Sequence, residues 1–68
     1  MATQMNISYN IATGEYTREI MYEGIHLILR YHKDMLDEHV LDAVLTTDGT
    51  NITDLVRMSA LTYFESLL

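Results

Sequence analysis

The segment 25–32 constrains the fold most, because its side chains alternate between apolar and polar for eight residues. In an extended strand, alternate side chains point to opposite faces of the backbone. One face would carry Ile25, Leu27, Leu29 and Tyr31, and the other His26, Ile28, Arg30 and His32. We therefore predict a strand with one buried apolar face and one largely cationic or polar face.

Two helices are predicted after this strand. Asp34 is a suitable N-cap, and Asp37 and Glu38 would place negative charge in the first turn of a helix over residues 34–45. Its apolar stripe would be Leu36, Val40, Ala43 and Val44. A turn at residues 46–50 contains Gly49, and Asn51 or Thr53 can cap a final helix that ends near residue 67. The buried side of that helix would comprise Ile52, Leu55, Val56, Ser59, Tyr63, Phe64 and Leu67.

The first 24 residues form a separate N-terminal extension in this interpretation. Residues 5–11 alternate with period two, and residues 12–15, with Gly14, look like a turn. Residues 16–22 fit either a returning strand or the start of a helix. We therefore divide the chain into an extension at 1–24, a possible β-hairpin, and a dimerisation unit at 25–68.

Chain length indicates self-association. The chain has 68 residues and no cysteine, and 49% of its residues are hydrophobic. A core of this size barely offsets chain entropy, and a lone strand would leave both of its edges unpaired. Two copies that pair strand to strand, with four helices behind, would solve both problems. The alternative is one long helix over residues 17–45 packed on 52–67, a helical hairpin that dimerises into a four-helix bundle.

The turn and the final helix carry a family resemblance. Residues 49–57, Gly-Thr-Asn-Ile-Thr-Asp-Leu-Val-Arg, and the aromatic pair Tyr63 and Phe64 resemble the ribbon-helix-helix family of the Arc and methionine repressors. The resemblance implies a mainly α, intertwined homodimer that binds double-stranded DNA as a transcriptional repressor, with its strand ribbon in the major groove. It implies base contacts by His26, Ile28 and Arg30, and phosphate contacts by Asn51, Thr53 and Lys33.

The charge distribution supports a different partner. The formal net charge is −6, which opposes binding to phosphates, and only residues 25–33 are locally basic, with Arg30 and Lys33 and no acid. The alternative function is therefore an acidic protein-binding module, antitoxin-like or a viral inhibitor of a host protein. The contact would lie on residues 1–24 or on the acidic helix predicted for 34–45.

The remaining patterns predict no chemistry. His26, His32 and His39 lack a metal-ligand spacing, and the chain has no evident nucleophile arrangement and no glycine-rich phosphate loop. We expect no enzyme activity, catalytic residue, cofactor or metal. Neither a membrane span nor a signal peptide is evident, so we expect a cytoplasmic protein. We interpret most of the following as core filling: Tyr16, Tyr22, Tyr31, Met21, Met35 and Met58.

Overall fold

A four-stranded antiparallel sheet and one C-terminal helix make up the fold. The computed structural model describes residues 3–68, with side chains from residue 7 onward. Each strand pairs with the next along the chain, so the spatial order is also the sequence order. The elements are β1 Thr3–Asn10, β2 Glu15–Tyr22, β3 Ile25–Lys33, β4 His39–Thr46, a 3₁₀ turn Thr53–Leu55 and α1 Met58–Ser66.

The strand predicted at residues 25–32 is confirmed. β3 spans Ile25–Lys33, and Leu27, Leu29 and Tyr31 are 4%, 0% and 1% exposed, whereas the intervening residues are only partly buried. Alternation thus gives the sheet a side on which α1 packs, the helix-covered face, and an opposite side, the open face, which carries the side chains of His26, Ile28, Arg30 and His32.

The N-terminal hairpin is present. β1 and β2 pair antiparallel up to Asn10 and Glu15, and the turn between them closes through a 2.8 Å bond from the Gly14 amide to the Asn10 carbonyl. Gly14 has φ +75°, a conformation that glycine adopts without strain. β2 then pairs with β3 from Tyr16↔Tyr31 to Tyr22↔Ile25, so the described part of the N-terminal extension and the segment after residue 24 share one sheet.

The mainly α fold is wrong, both as a ribbon-helix-helix unit and as a four-helix bundle. Residues 39–46 form strand β4, which pairs along β3 with a bulge opposite Arg30 and Tyr31. Asp34 does accept hydrogen bonds from the Leu36 and Glu38 amides, at 2.9 and 3.0 Å. These bonds close a turn instead of a helix, because Asp37 adopts φ 64°, which a right-handed helix cannot continue through.

The strand β3 lies inside the sheet, which removes the physical argument for a paired ribbon. Its two edges are occupied by β2 and β4 of the same chain. The resulting core consists of buried residues on the helix-covered face and one from α1. These residues are Ile20, Leu27, Leu29, Val44 and Phe64.

The C-terminal segment first follows the outer edge of β4 and only then becomes helical. Gly49 takes φ +90° in the predicted turn, where the Thr46 hydroxyl donates to the Asp48 carboxylate and thereby lowers the pKa of that side chain. The Ile52 amide then donates to the Val44 carbonyl at 2.9 Å. Because this segment lies along the strand edge, α1 begins at Met58, later than predicted.

The late start of α1 changes which of its side chains are buried. Phe64 is buried, as predicted, and Ile52, Val56, Tyr63 and Leu67 are partly buried against the core. Leu55 and Ser59 are exposed, so their predicted burial is wrong. Among residues 3–68, no helix has the length and apolar character that a membrane crossing requires.

Candidate binding surfaces

Four aromatic rings, one from each strand, cross the helix-covered face in a line that we term the aromatic row: Tyr9, Tyr16, Tyr31 and His39. The centroids of Tyr9 and Tyr16 are 4.5 Å apart, and those of Tyr16 and Tyr31 are 5.2 Å apart with nearly parallel planes. The His39 ring meets Tyr31 edge-on at 5.1 Å. Such ring pairs are favourable contacts, so the row is pre-organised by the strand register.

The aromatic row is closed at its centre and open at its β1 end. Tyr31 is 1% exposed, whereas Tyr9 on the edge strand is 52% exposed. Two cations of this chain already lie over the rings. The Lys33 ammonium is 5.9 Å from the Tyr16 centroid, and the Arg18 guanidinium carbon is 5.8 Å from the Tyr31 centroid. These separations are within the range of cation–π attraction.

Carboxylates lie directly beside this row, in the turn between β3 and β4. We term residues 34–38 the acidic turn. Asp37 is an ion-pair partner of Lys33 at 3.5 Å, and its side chain is 82% exposed. Met35 and Leu36 in the same turn are 103% and 80% exposed. The acidic turn therefore adds negative charge and two exposed apolar side chains near the β4 end of the aromatic row, which is His39.

Arg18 connects the row to the end of the helix. Its guanidinium donates to the Leu67 carbonyl just beyond α1, and its Nε is buried without a hydrogen-bond partner among the described residues. The contact joins β2 to the C-terminal residues across the helix-covered face. Arg18 therefore holds the end of α1 next to the aromatic row. The β1 end of the row, at Tyr9, is not covered by the helix.

The residues predicted to read bases lie on the open face, next to carboxylates. Arg30 lies 3.4 Å from Glu15, and His26 lies 3.4 Å from Glu19. Both carboxylates belong to β2, the neighbouring strand, so the basic segment is matched by acids once the sheet forms. Partly exposed pairs of this kind contribute little stability, and each places a carboxylate next to the basic group.

The structure brings only some of the predicted DNA contacts together. Arg30 and Lys33 line one hollow of about 570 Å³, with His32 and two carboxylates, those of Glu15 and Asp42. His32 Nδ1 is 2.8 Å from the Asp42 carboxylate. The hollow thus contains cationic and anionic groups in comparable number and has no uniformly positive lining.

The predicted phosphate ligands Asn51 and Thr53 lie elsewhere, at the outer edge of β4. The Asn51 side-chain oxygen accepts from the Thr53 amide at 3.0 Å and from its hydroxyl at 2.6 Å. The Thr53 hydroxyl oxygen accepts from the Val44 amide at 2.9 Å. Both side chains are occupied in attaching the C-terminal segment to the sheet.

A second concave surface lies between α1 and the β2–β3 turn. This cleft has a volume of about 430 Å³ and an apolar lining that includes Ile25, Val56 and Phe64. The charged residues that line this cleft are Glu23 and Arg57. Within residues 3–68, no group of three or more histidine and acidic side chains is placed to hold a metal ion.

Sequence reasoning missed the aromatic row as a unit, although a signal for it exists. Tyr9 and Tyr16 are equally distant from the centre of the 11–14 turn, so a hairpin places them opposite each other. The addition of Tyr31 and His39 depends on the pairing of β2 with β3 and of β3 with β4. No short-range pattern encodes those pairings.

The chain matches no family model, no curated protein and no solved structure. The resemblance to ribbon-helix-helix proteins therefore rests on the quoted residues alone. Function has to be argued from the surfaces described above.

Proposed function

We propose that this protein is an acidic protein-binding module whose aromatic row and acidic turn bind a basic segment of a partner protein. The observation that carries the proposal is the line of stacked rings that ends at the exposed Tyr9. Tyrosine provides a large contact area at low conformational cost, and rings already held by their neighbours lose little further entropy on binding.

Charge complementarity supports a cationic partner. Lys33 over Tyr16 shows that a primary ammonium fits against this row while paired with an acidic-turn carboxylate. One arginine or lysine of a partner segment would contact the exposed ring of Tyr9, and another would pair with the acidic turn at the opposite end of the row. Each exposed cation–π contact contributes about 0.5–1 kcal/mol, so several would be needed for a stable complex.

The distribution of charge favours a protein partner over DNA. The chain carries a net charge of −6, and two of its four cations, Arg30 and Lys33, already pair with carboxylates. A phosphate backbone would have to displace those pairs and overcome the overall repulsion. Binding of DNA is the competing hypothesis, and a DNA duplex is therefore measured beside the peptides.

The proposal is tested by fluorescence anisotropy with two labelled probes. One is a series of short peptides in which arginine alternates with leucine or glycine, and the other is a short DNA duplex at low salt. We expect saturable binding of the arginine–leucine peptides that weakens as salt screens the acidic turn. Tyr9→Ala should reduce the affinity about two- to fivefold, which corresponds to one exposed cation–π contact of ~0.5–1 kcal/mol.

The matched control is Thr62→Ala, which alters an exposed side chain on α1 away from the aromatic row. This variant should bind the peptides as the unmodified protein does. Absence of saturable binding to every peptide, equal affinity of the two variants, or tighter binding of the duplex than of any peptide would each refute the proposal.

A further inference from the structure

The edge strand β1 lacks the charges and proline that normally protect a sheet edge, and its register with β2 shifts only between Gln4 and Ile7, before the stretch 7–10. An edge exposes unpaired backbone amides and carbonyls, and proteins usually block it with lysine, other charges or proline. Residues 1–14 contain no charged residue and no proline, although 21% of the whole chain is charged. The opposite edge, that of β4, is partly covered by the Ile52 and Thr53 contacts with Val44.

The side chains at this edge are apolar on one face. Ile7 and Tyr9 are 57% and 52% exposed, and they share the helix-covered face because they are two residues apart. Ser8 lies between them with its side chain on the other face, and it is also exposed. The edge therefore offers both backbone hydrogen-bonding groups and an apolar strip.

We propose that two copies of this chain pair β1 to β1, antiparallel about a two-fold axis at Ser8, and form one eight-stranded sheet. This register places Ile7 of each copy opposite Tyr9 of the other on the helix-covered face. Cross-strand pairs of an aromatic and a β-branched residue are among the favourable pairs in antiparallel sheets. The two-fold axis makes this contact twice.

The charge distribution favours a second copy of this chain as the partner that pairs with β1. Each chain carries a net charge of −6, and that charge resides entirely in residues 15–68. Two copies repel each other except where they meet through the neutral strand. A basic partner segment would find no carboxylate on β1, so the acidic turn is the better site for it.

The pairing would place two aromatic rows on one continuous surface. The row of each copy ends at Tyr9, which would then lie beside the second copy's Ile7. A partner with two basic segments would bind such a surface with a gain from multivalency. The dimer itself does not depend on the proposed function, and its test uses no peptide.

The first test measures mass in solution by sedimentation equilibrium. The unmodified protein should have twice the 7.9 kDa mass of one chain. Ser8→Lys places two like charges on the symmetry axis and should return the mass to that of one chain. Thr62→Lys makes the same change of charge on α1 and should leave the dimer intact.

The second test reports the register and remains informative if Ser8→Lys impairs folding. Because the chain has no cysteine, Ser8→Cys introduces a single thiol that would lie opposite its own copy. Mild oxidation should give a disulfide-linked dimer, whereas Thr62→Cys should give little. A monomeric unmodified protein, a folded Ser8→Lys dimer, or equal cross-linking of the two cysteine variants would overturn the proposal.

Discussion

At the scale of single residues, burial on the C-terminal segment depends on where the helix begins. A continuous helix from residue 51 would bury Leu55 on the same side as Ser59 and Tyr63, and sequence periodicity supports that interpretation. In the structure, Val56 and Arg57 are extended and interrupt the helical phase before α1. Phe64 is therefore 1% exposed, whereas Leu55 is 82% exposed.

This difference gives a prediction at the residue scale. Phe64→Ala should lower the free energy of unfolding by about 3–5 kcal/mol, because it leaves a cavity between α1 and the sheet. Leu55→Ala, the matched control, should change it by less than about 0.5 kcal/mol. Urea unfolding followed by circular dichroism measures both values. Comparable losses for the two variants would mean that Leu55 is buried, contrary to the structure.

At the scale of elements, the decisive segment is 39–46. Its Val40 and Val44 fit the apolar stripe of a helix, but both are β-branched and pair well in a strand. The strand forms because β3 offers an adjacent edge, and because Asp37 at φ 64° reverses the chain before it. The periodicity of the apolar residues alone does not distinguish a helix from a strand over residues 39–46.

Asp37 and Glu38 provide a test of this turn. Asp37→Gly should raise the free energy of unfolding by roughly 0.5 kcal/mol, because glycine removes the strain of a left-handed residue at some cost in chain entropy. In a helix the same change would instead lower it, by about 0.3 kcal/mol from helix propensity alone. Glu38→Gly removes the same charge at a residue without positive φ and should be destabilising. Thermal unfolding of both variants decides between turn and helix.

The sequence nevertheless predicts several of the secondary-structure elements. The strand at 25–33, the hairpin around Gly14 and the turn at Gly49 each follow from alternation or from a residue suited to positive φ. The candidate site was less accessible. The sequence predicts Tyr16 and Tyr31 as core residues, and their contact with Tyr9 and His39 exists only after four strands are aligned.

At the scale of the whole molecule, one short helix closes the core of the sheet. Phe64 is the only α1 residue in the buried set of the described chain, and the strands supply all the others. The 68-residue chain has no disulfide to compensate if this cover is lost. Integrity of α1 should therefore determine whether the protein folds at all.

Thr62→Pro tests this dependence. Its side chain is exposed, but a proline in the middle of α1 costs about 3 kcal/mol or more through a lost hydrogen bond and a backbone clash. That is a large share of the roughly 5–15 kcal/mol that stabilises a typical domain. We expect loss of the cooperative urea transition and increased binding of a hydrophobic dye. Thr62→Ala should retain the transition, and retention by both variants would contradict the role of α1.

By itself, the sequence determined the features that depend on neighbours within a few residues: the alternation of β3, the turns at Gly14 and Gly49, the uncharged first 14 residues and the net negative charge. Only the tertiary structure decided that residues 39–46 are a strand, that β3 lies inside the sheet and that Arg30 is matched by Glu15. The physical reason is that strand pairing satisfies backbone hydrogen bonds between distant segments. A segment that suits either a helix or a strand therefore adopts the form that its long-range neighbours can pair with.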